Sequence, residues 1–305
     1  DHSSSSSAAM LSSAQTTIES QFPLAMQKPT AATASDDGIQ VAAPEEVQIE
    51  RTTAILFRHA GISDLSEIAA RIATAKAALM LTCPYKCVQE CKFCVPRVLQ
   101  HPDYSVLVQS SQEKSANRSI LDLGCCMGTD LRQFVLDGLC TDVERAFGLD
   151  MQSAFIHQGM EMFGDAETWQ AQFMSDDALT LLDRPDALVW TKAPFTYVYT
   201  GAFFHLLSRE EQIRLATVAF ALLESGGILF GRHVGSAEEE PFEVHPENYE
   251  VSQLKWLHTP ETFTAMLQSC GFSDVTVQVH AADVTAKSMG YGGRAKDYLA
   301  FTCEK

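Results

Sequence analysis

Apolar residues recur along the chain with two rhythms. Leu65, Ile68, Ile72, Ala75 and Leu79 are spaced for one face of a helix. Asp64-Leu-Ser-Glu67, just ahead of them, has the form of a capping box: Asp64 accepts from first-turn amides and Glu67 reaches back. Pro84 suits a first helical position and predicts a short second helix to about Val95. Pro96 and Pro102 punctuate the stretch after it. From Arg118 the rhythm changes. Strands are predicted at Ser119–Leu123, Arg145–Leu149, Gln172–Met174, Phe195–Thr200 and Ile228–Gly231. Between them fall helices over Thr129–Leu136, around Phe155–Phe163 and around Ile213–Leu223. A last helix spans Pro260–Cys270, and strands at Val275–Val279 and Asp297–Cys303 close the chain. Repeated βαβ units predict a parallel sheet with helices on both faces. The two final strands, with no helix between them, predict an antiparallel edge.

Residues 1–45 are rich in Ser, Ala and Thr with few large apolar groups, so they read as a disordered leader. Residues 46–115 read as a helical block, and 116–305 as an α/β domain. Charge narrows the partners. Against 22 Lys and Arg stand 39 Asp and Glu, a net charge of -17, which disfavours nucleic acid and anionic membranes. No run of apolar residues is long enough for a transmembrane helix, and the Ser-rich start lacks the basic and apolar regions of a signal peptide. The nine cysteines therefore read as reduced thiols of a cytoplasmic protein. The sequence leaves the oligomeric state unknown.

The most informative stretch is Ile120-Leu-Asp-Leu-Gly-Cys-Cys-Met-Gly-Thr-Asp130. An apolar strand runs into a loop with Gly124 and Gly128, then into a helix whose first N–H groups are free. The G-x-G-x-x-G dinucleotide fingerprint is absent, and Asp122 at the strand end argues for a cationic ligand over a diphosphate. Asp150 ends the second strand, where a carboxylate can hold ribose hydroxyls, and Asp176 with Asp177 follows the third. For each single Asp the bland alternative is a helix N-cap; carboxylates after three successive strands weaken it.

Asp122-x-Gly124-x-Cys126-x-Gly128 with Asp150 resembles the class I S-adenosylmethionine-dependent methyltransferases. Cys126 stands where that family usually has its middle glycine. The longer form Leu-Asp-Leu-Gly-Cys-Cys-x-Gly-x-Asp-Leu-Arg132 resembles fungal natural-product methyltransferases, among them carboxyl O-methyltransferases of meroterpenoid pathways. His101-Pro-Asp-Tyr104, Phe204-His-Leu206 and Gly231-Arg-His-Val-Gly235 match as well, and the resemblance covers roughly residues 80–303. It implies a Rossmann-like class I sheet, mostly parallel with an antiparallel last strand, S-adenosyl-L-methionine as cofactor, and methyl transfer to an oxygen of a small acceptor. It places Asp122, Gly124, Cys125 and Gly128 along the methionine part, Asp150 at the ribose and Asp176 at the adenine, with Cys126, Met151 and Asp177 as further cofactor-binding candidates. Phe204 and His205 fall nearest the methyl and the acceptor, with His205 as the catalytic candidate: a general base for a hydroxyl or a positioner for a carboxylate. Tyr85, Tyr104, Arg232 and His258 are the candidate acceptor-binding residues, and the helical block is expected to cap the opening.

A second motif competes. Cys87-x3-Cys91-x2-Cys94 has the spacing of the radical S-adenosylmethionine signature, in which three thiolates hold a [4Fe–4S] cluster. Cys83, Cys87, Cys91 and Cys94 also fit one face of a helix, where free Cys packs as a small hydrophobe. The core-stripe reading predicts no metal ligands. A non-catalytic cofactor-binding regulator is the third reading of the same loop.

Overall fold

The computed structural model describes residues 49–113, 117–184, 194–236, 242–244, 255–281 and 297–305. The leader expected over 1–45 lies outside the described residues. Among the described residues, four α-helices precede the sheet: α1 (Arg51–His59), α2 (Leu65–Met80), α3 (Lys86–Gln89) and α4 (Tyr104–Glu113). The alternating part runs β1 (Ile120–Leu123), α5 (Thr129–Leu136), β2 (Ala146–Asp150), α6 (Ser153–Phe163), α7 (Ala166–Trp169), β3 (Phe173–Ser175) and β4 (Phe195–Gly201). It continues with α8 (Arg209–Leu222), β5 (Leu223–Gly235), β6 (Phe242–Val244), β7 (Lys255–Leu257), α9 (Pro260–Ser269), β8 (Ser273–Ala281) and β9 (Asp297–Glu304).

Strands apolar on both sides must be covered on both sides, and β1 is buried along its whole length. The sheet order is β3-β2-β1-β4-β5-β9-β8. β1 through β5 pair in parallel, while β9 is antiparallel to both β5 and β8. Alternation along each strand sorts the core. Leu121, Leu123, Phe147, Leu149 and Val198 share one cluster with α8 and α9. Ile120, Ala146, Tyr197 and Tyr199 point to the other, with α4 and α5. A third cluster joins α1, α2 and the Cys83–Cys94 stretch to α6.

The two final strands form the expected antiparallel edge, in the order β5-β9-β8, so β9 pairs on both sides and β8 is outermost. Other expectations need correction. The predicted helix from Pro84 to Val95 breaks in two. Cys91 takes a left-handed φ of 51°, so α3 stops and a 3-10 turn, Lys92–Cys94, follows. The four cysteines therefore lie on separate short pieces and not on one helical face. Asp64 caps α2 as expected, its Oδ1 accepting the Glu67 N–H at 2.8 Å. Glu67 does not reach back; its carboxylate pairs with Arg71 one turn on. The helical block also has a partner other than the opening, because α1 and α2 pack on α6.

Gly159 of α6 fixes where that helix lies. A Cβ there would fall on the carbonyl of Met127, so the helix rests directly on the loop after β1. Gly159→Ala is expected to destabilise the protein by about 1–3 kcal/mol through overpacking. A thermal melt shows this as a drop of several degrees; an unchanged midpoint contradicts the close contact.

Candidate functional site

The loop after β1 uses left-handed backbone at every second position. Gly124, Cys126 and Gly128 have φ values of 77°, 53° and 69°. Glycine takes this conformation freely, and a side chain does so at a cost of about 1–2 kcal/mol. Cys126 is nonetheless held there, since its N–H donates to Asp150 Oδ2 at 2.8 Å. The N–H groups of Gly124 and Cys125 both donate to the Leu149 carbonyl, at 2.8 and 3.0 Å. The last residue pair of β2 thus ties down the whole turn. Asp150 Oδ1 accepts the Gln152 N–H at 2.8 Å, so its carboxylate bridges the two loops. Gly128 is the N-cap residue of α5, whose first amides open toward the same side.

Three carboxylates converge on this turn. Asp122 is 2% exposed, and its Oδ1 has no hydrogen-bond partner. Burial, with Asp130 and Asp150 beside it, raises its pKa well above the usual carboxylate range. Burial also raises Asp130 and Asp150. A buried carboxylate without a partner is costly on its own and favours a cation or a hydrogen-bond donor beside it. Asp130 is already engaged: Oδ1 accepts the Val98 N–H at 2.9 Å and Oδ2 the Tyr199 hydroxyl at 3.2 Å.

The carboxylates after β3 differ from one another. Asp177 accepts the Leu179 N–H at 2.9 Å and caps a 3-10 turn, the bland reading weighed for it. Asp176 accepts the Asp177 N–H and pairs with Arg184 at 2.5 Å. Its own N–H donates to the Asp150 carbonyl at 3.2 Å, which keeps it beside the loop. Met151 is 65% exposed at the carboxyl end of β2.

At the end of β4 the sequence misassigns one of two neighbours. Phe204 is fully buried, packed on Phe263, Phe301 and His233 beneath the sheet. The ring at the loop belongs to Phe203, which lies so close to Gly124 that a Cβ there would sit 3.0–3.3 Å from it. Only that crowding distinguishes them, and two adjacent phenylalanines carry no such signal in sequence. His205 is 7% exposed, in the turn after Phe204. Behind it His233 is wholly buried, with neither ring nitrogen hydrogen-bonded and its ring 4.3 Å from that of Phe263. Burial, then His205 and His258, holds its pKa well below the ordinary value. His258 donates or accepts at Thr262 Oγ1 over 2.9 Å, and burial lowers it to about 4. His205, His233 and His258 thus form one group, and His233 is its fully buried member.

Arg232 is 7% exposed at the end of β5, hydrogen-bonded to Gln100 and stacked on Tyr298 at 4.1 Å. Tyr104 lies elsewhere. It is buried, and its hydroxyl donates to Asp137 at 2.9 Å, at the end of α5 farthest from the loop. Helix packing therefore takes it out of the candidate site. Tyr85 packs on Phe155 at 5.9 Å, in the first turn of α6 after Asp150. The stretch from Cys87 to Val98 runs along the loop: Thr129 donates to the Phe93 carbonyl, and Val98 donates to Asp130. Cys94 is buried, its thiol pushed up to about 12, and it donates to the Cys91 carbonyl at 3.0 Å. Cys83 is buried in the same cluster, with Cys87 and Cys91 packed against it. Among the described residues no three His, Cys, Asp or Glu side chains are grouped to hold a metal ion, and no helix is long and apolar enough to cross a membrane.

No family model matches the chain. It is similar to an O-methyltransferase of a fungal species (Fungal sp.), 29% identical over 154 residues, which are 50% of this chain and 49% of that protein. An O-methyltransferase of Stereocaulon alpinum is 31% identical over 155 residues, 50% of this chain and 43% of that one. The Asnovolin E/Chermesin D methyltransferase of Aspergillus novofumigatus is 28% identical over 153 residues, 50% and 52% of the two chains. The chain spans about half the length of these curated relatives. Among solved structures it is similar to a SAM dependent methyltransferase from Archaeoglobus fulgidus, with a TM-score of 0.46 and 16% identity over 72% of this chain and 100% of that one. The sequence relatives, together with the sheet order, support the class I S-adenosylmethionine-dependent methyltransferase resemblance read from the glycine loop.

The histidine group sets a pH dependence. In the unfolded chain a His titrates near 6.5, whereas His258 is held at about 4. Below pH 6.5 the unfolded state takes up the proton first. This stability is therefore present above pH 6.5 and is lost as the pH falls toward 4. At pH 5 the loss from His258 is about 2 kcal/mol. Asp122, Asp130 and Asp150, raised by burial, act with the opposite sign, so the comparison is made between variants. Denaturant unfolding at pH 7.5 and pH 5 should show His258→Asn losing about 2 kcal/mol less than the parent protein. Equal losses contradict the assignment.

Proposed function

We propose that the chain is an S-adenosyl-L-methionine-dependent methyltransferase acting on an oxygen of a small, natural-product-like acceptor. The observation that carries this is the unpartnered, buried Asp122 oxygen at a glycine turn whose next strand end supplies Asp150. The residues present fit the cofactor. An ammonium satisfies Asp122, and the remaining lone pairs of Asp150 suit ribose hydroxyls. Asp122, Gly124, Cys125, Cys126 and Gly128 would line the methionine part, Asp150 and Met151 the ribose, and Asp176 the adenine. Asp177 is needed for its cap. Phe203 takes the place expected of Phe204. When bound, this cofactor supplies a methyl group on a sulfonium that carries its own leaving group.

The chain's task is then alignment and exclusion of water. The Cys87–Val98 stretch, fastened to Thr129 and Asp130, serves as the cap. Tyr85, Arg232 and His258 form the acceptor side. His205 holds the acceptor oxygen: from a hydroxyl it takes the proton at a ring nitrogen, and for a carboxylate it only orients. That the curated relatives include O-methyltransferases supports oxygen as the accepting atom. We place the protein in the cytoplasm, in keeping with its free thiols.

Asp150→Ala removes two charge-assisted hydrogen bonds to ribose. It should weaken S-adenosylhomocysteine binding by about 2–4 kcal/mol in a calorimetric titration. Parent-like affinity in that variant sinks the ribose assignment.

A further inference from the structure

β8 is the outermost strand of the sheet, and among the described residues no strand pairs with its outer side. Its inner side pairs regularly with β9 from Thr276 to Ala281, after a bulge at Ser273–Thr276 in which Asp274 takes a left-handed φ of 48°. The outer N–H and C=O groups of that regular run form a row ready to pair. Such edges are ordinarily blunted by Lys, Pro or an inward charge. From Phe272 to Ala281 there is no Lys, Arg or Pro, and the bulge interrupts one end only. Alternate side chains are apolar. Val275 and Val277 pack against the core that includes α9, and Val279, next on the same face, is 43% exposed. The opposite face is tied inward, where Gln278 donates to Asp103 at 3.4 Å. Beside the valines a groove runs between α9 and β8, lined by Pro260, Ala265, Gln268, Val275 and Val277. Charge singles out this face. A chain with a net charge of -17 repels its own copies over most of its surface. From Pro260 to Ala281, by contrast, the carboxylates are Glu261 and Asp274 alone.

We propose that β8 pairs with β8 of a second copy of this chain, joining two seven-stranded sheets into one across a twofold axis. A twofold axis sets like edges antiparallel, which is the pairing β8 already makes with β9. The strand is self-complementary about Val277. With Val277 on the axis, Val275 lies opposite Val279 of the second copy, Thr276 opposite Gln278, and Asp274 opposite His280. Residues directly opposite share a face, so valine meets valine and polar meets polar. The exposed Val279 of each copy is covered at the groove beside Val275 of the other. The acid at one end of the strand meets the histidine at the other, so the junction is complementary in charge as well. A slip of one residue breaks all of these matches together, which fixes the register. The strand pair alone is a small interface, and the flank of α9 enlarges it. A dissociation constant of about 10 μM is expected for an interface at the low end of the size range.

The test uses the full chain under reducing conditions. Sedimentation velocity from about 1 to 100 μM should show a monomer–dimer equilibrium. Val279→Lys places a charge at the junction and should weaken the dimer at least about tenfold. Because Val279 is exposed, that variant should melt within about 2 °C of the parent. Val277→Cys supplies a second reading that does not depend on it. On the axis, the two introduced thiols are within reach of each other, so diamide should join the copies covalently, with the parent protein as control for its own cysteines. A parent chain that stays monomeric overturns the proposal, including the case in which exchange-protected β8 amides show that another part of the same chain covers the edge. A dimer that Val279→Lys leaves intact uses another face and overturns it too. So does a dimer in which Val277→Cys gives no more cross-link than the parent.

Discussion

The carboxylate of Asp150 is the pin on which this site turns. One oxygen holds the N–H of Cys126 and the other that of Gln152, so a single side chain sets the turn after β1 and the turn after β2 together. The Cys126 bond matters most because that residue is in a left-handed conformation without being glycine. About 1–2 kcal/mol of backbone cost is offset there by a hydrogen bond to a charged acceptor. The parallel pairing of β1 with β2 brings Asp150 to the turn in the first place, with Leu123 opposite Leu149. Sheet register, loop shape and the aim of the α5 N-terminus are therefore one constraint.

The helical block before the sheet is bound to that same turn from outside. Phe93 accepts from Thr129, Val98 donates to Asp130, and Tyr104 donates to Asp137 at the far end of α5. α5 is thus held along its length by residues that precede the sheet. The expected boundary near residue 115 separates two kinds of secondary structure, yet the packing runs across it. α1 and α2 act as an outer layer on α6, and the Cys87–Val98 stretch reaches the glycine turn.

What the sequence makes legible is what local chemistry decides. The Asp64 cap, the strand and helix alternation and the Gly124–Gly128 turn depend on near neighbours, and each stands in the structure. What it hides depends on distant partners. β9 fits between β5 and β8 because of pairing across some seventy residues, as at Leu229 and Cys303. α4 was missed since only one face of it packs on the sheet and Pro102 read as punctuation. Tyr104 and Phe204 have the residue types of an acceptor pocket, but their partners, Asp137 and Phe263, put them in the frame. His233 is legible only as a residue near the end of the fifth strand; its neighbours His205 and His258 come from other segments, so the buried histidine group shows only in the fold.

The central claim is that the turn between β1 and α5, pinned by Asp150, is where the cofactor's amino-acid and ribose parts bind. Hydrogen–deuterium exchange of the full chain with and without S-adenosylhomocysteine tests it most directly. The account predicts slowed exchange in residues 124–131 and 151–153, the two segments that meet at Asp150. Binding that leaves those amides unchanged and protects another region would contradict it.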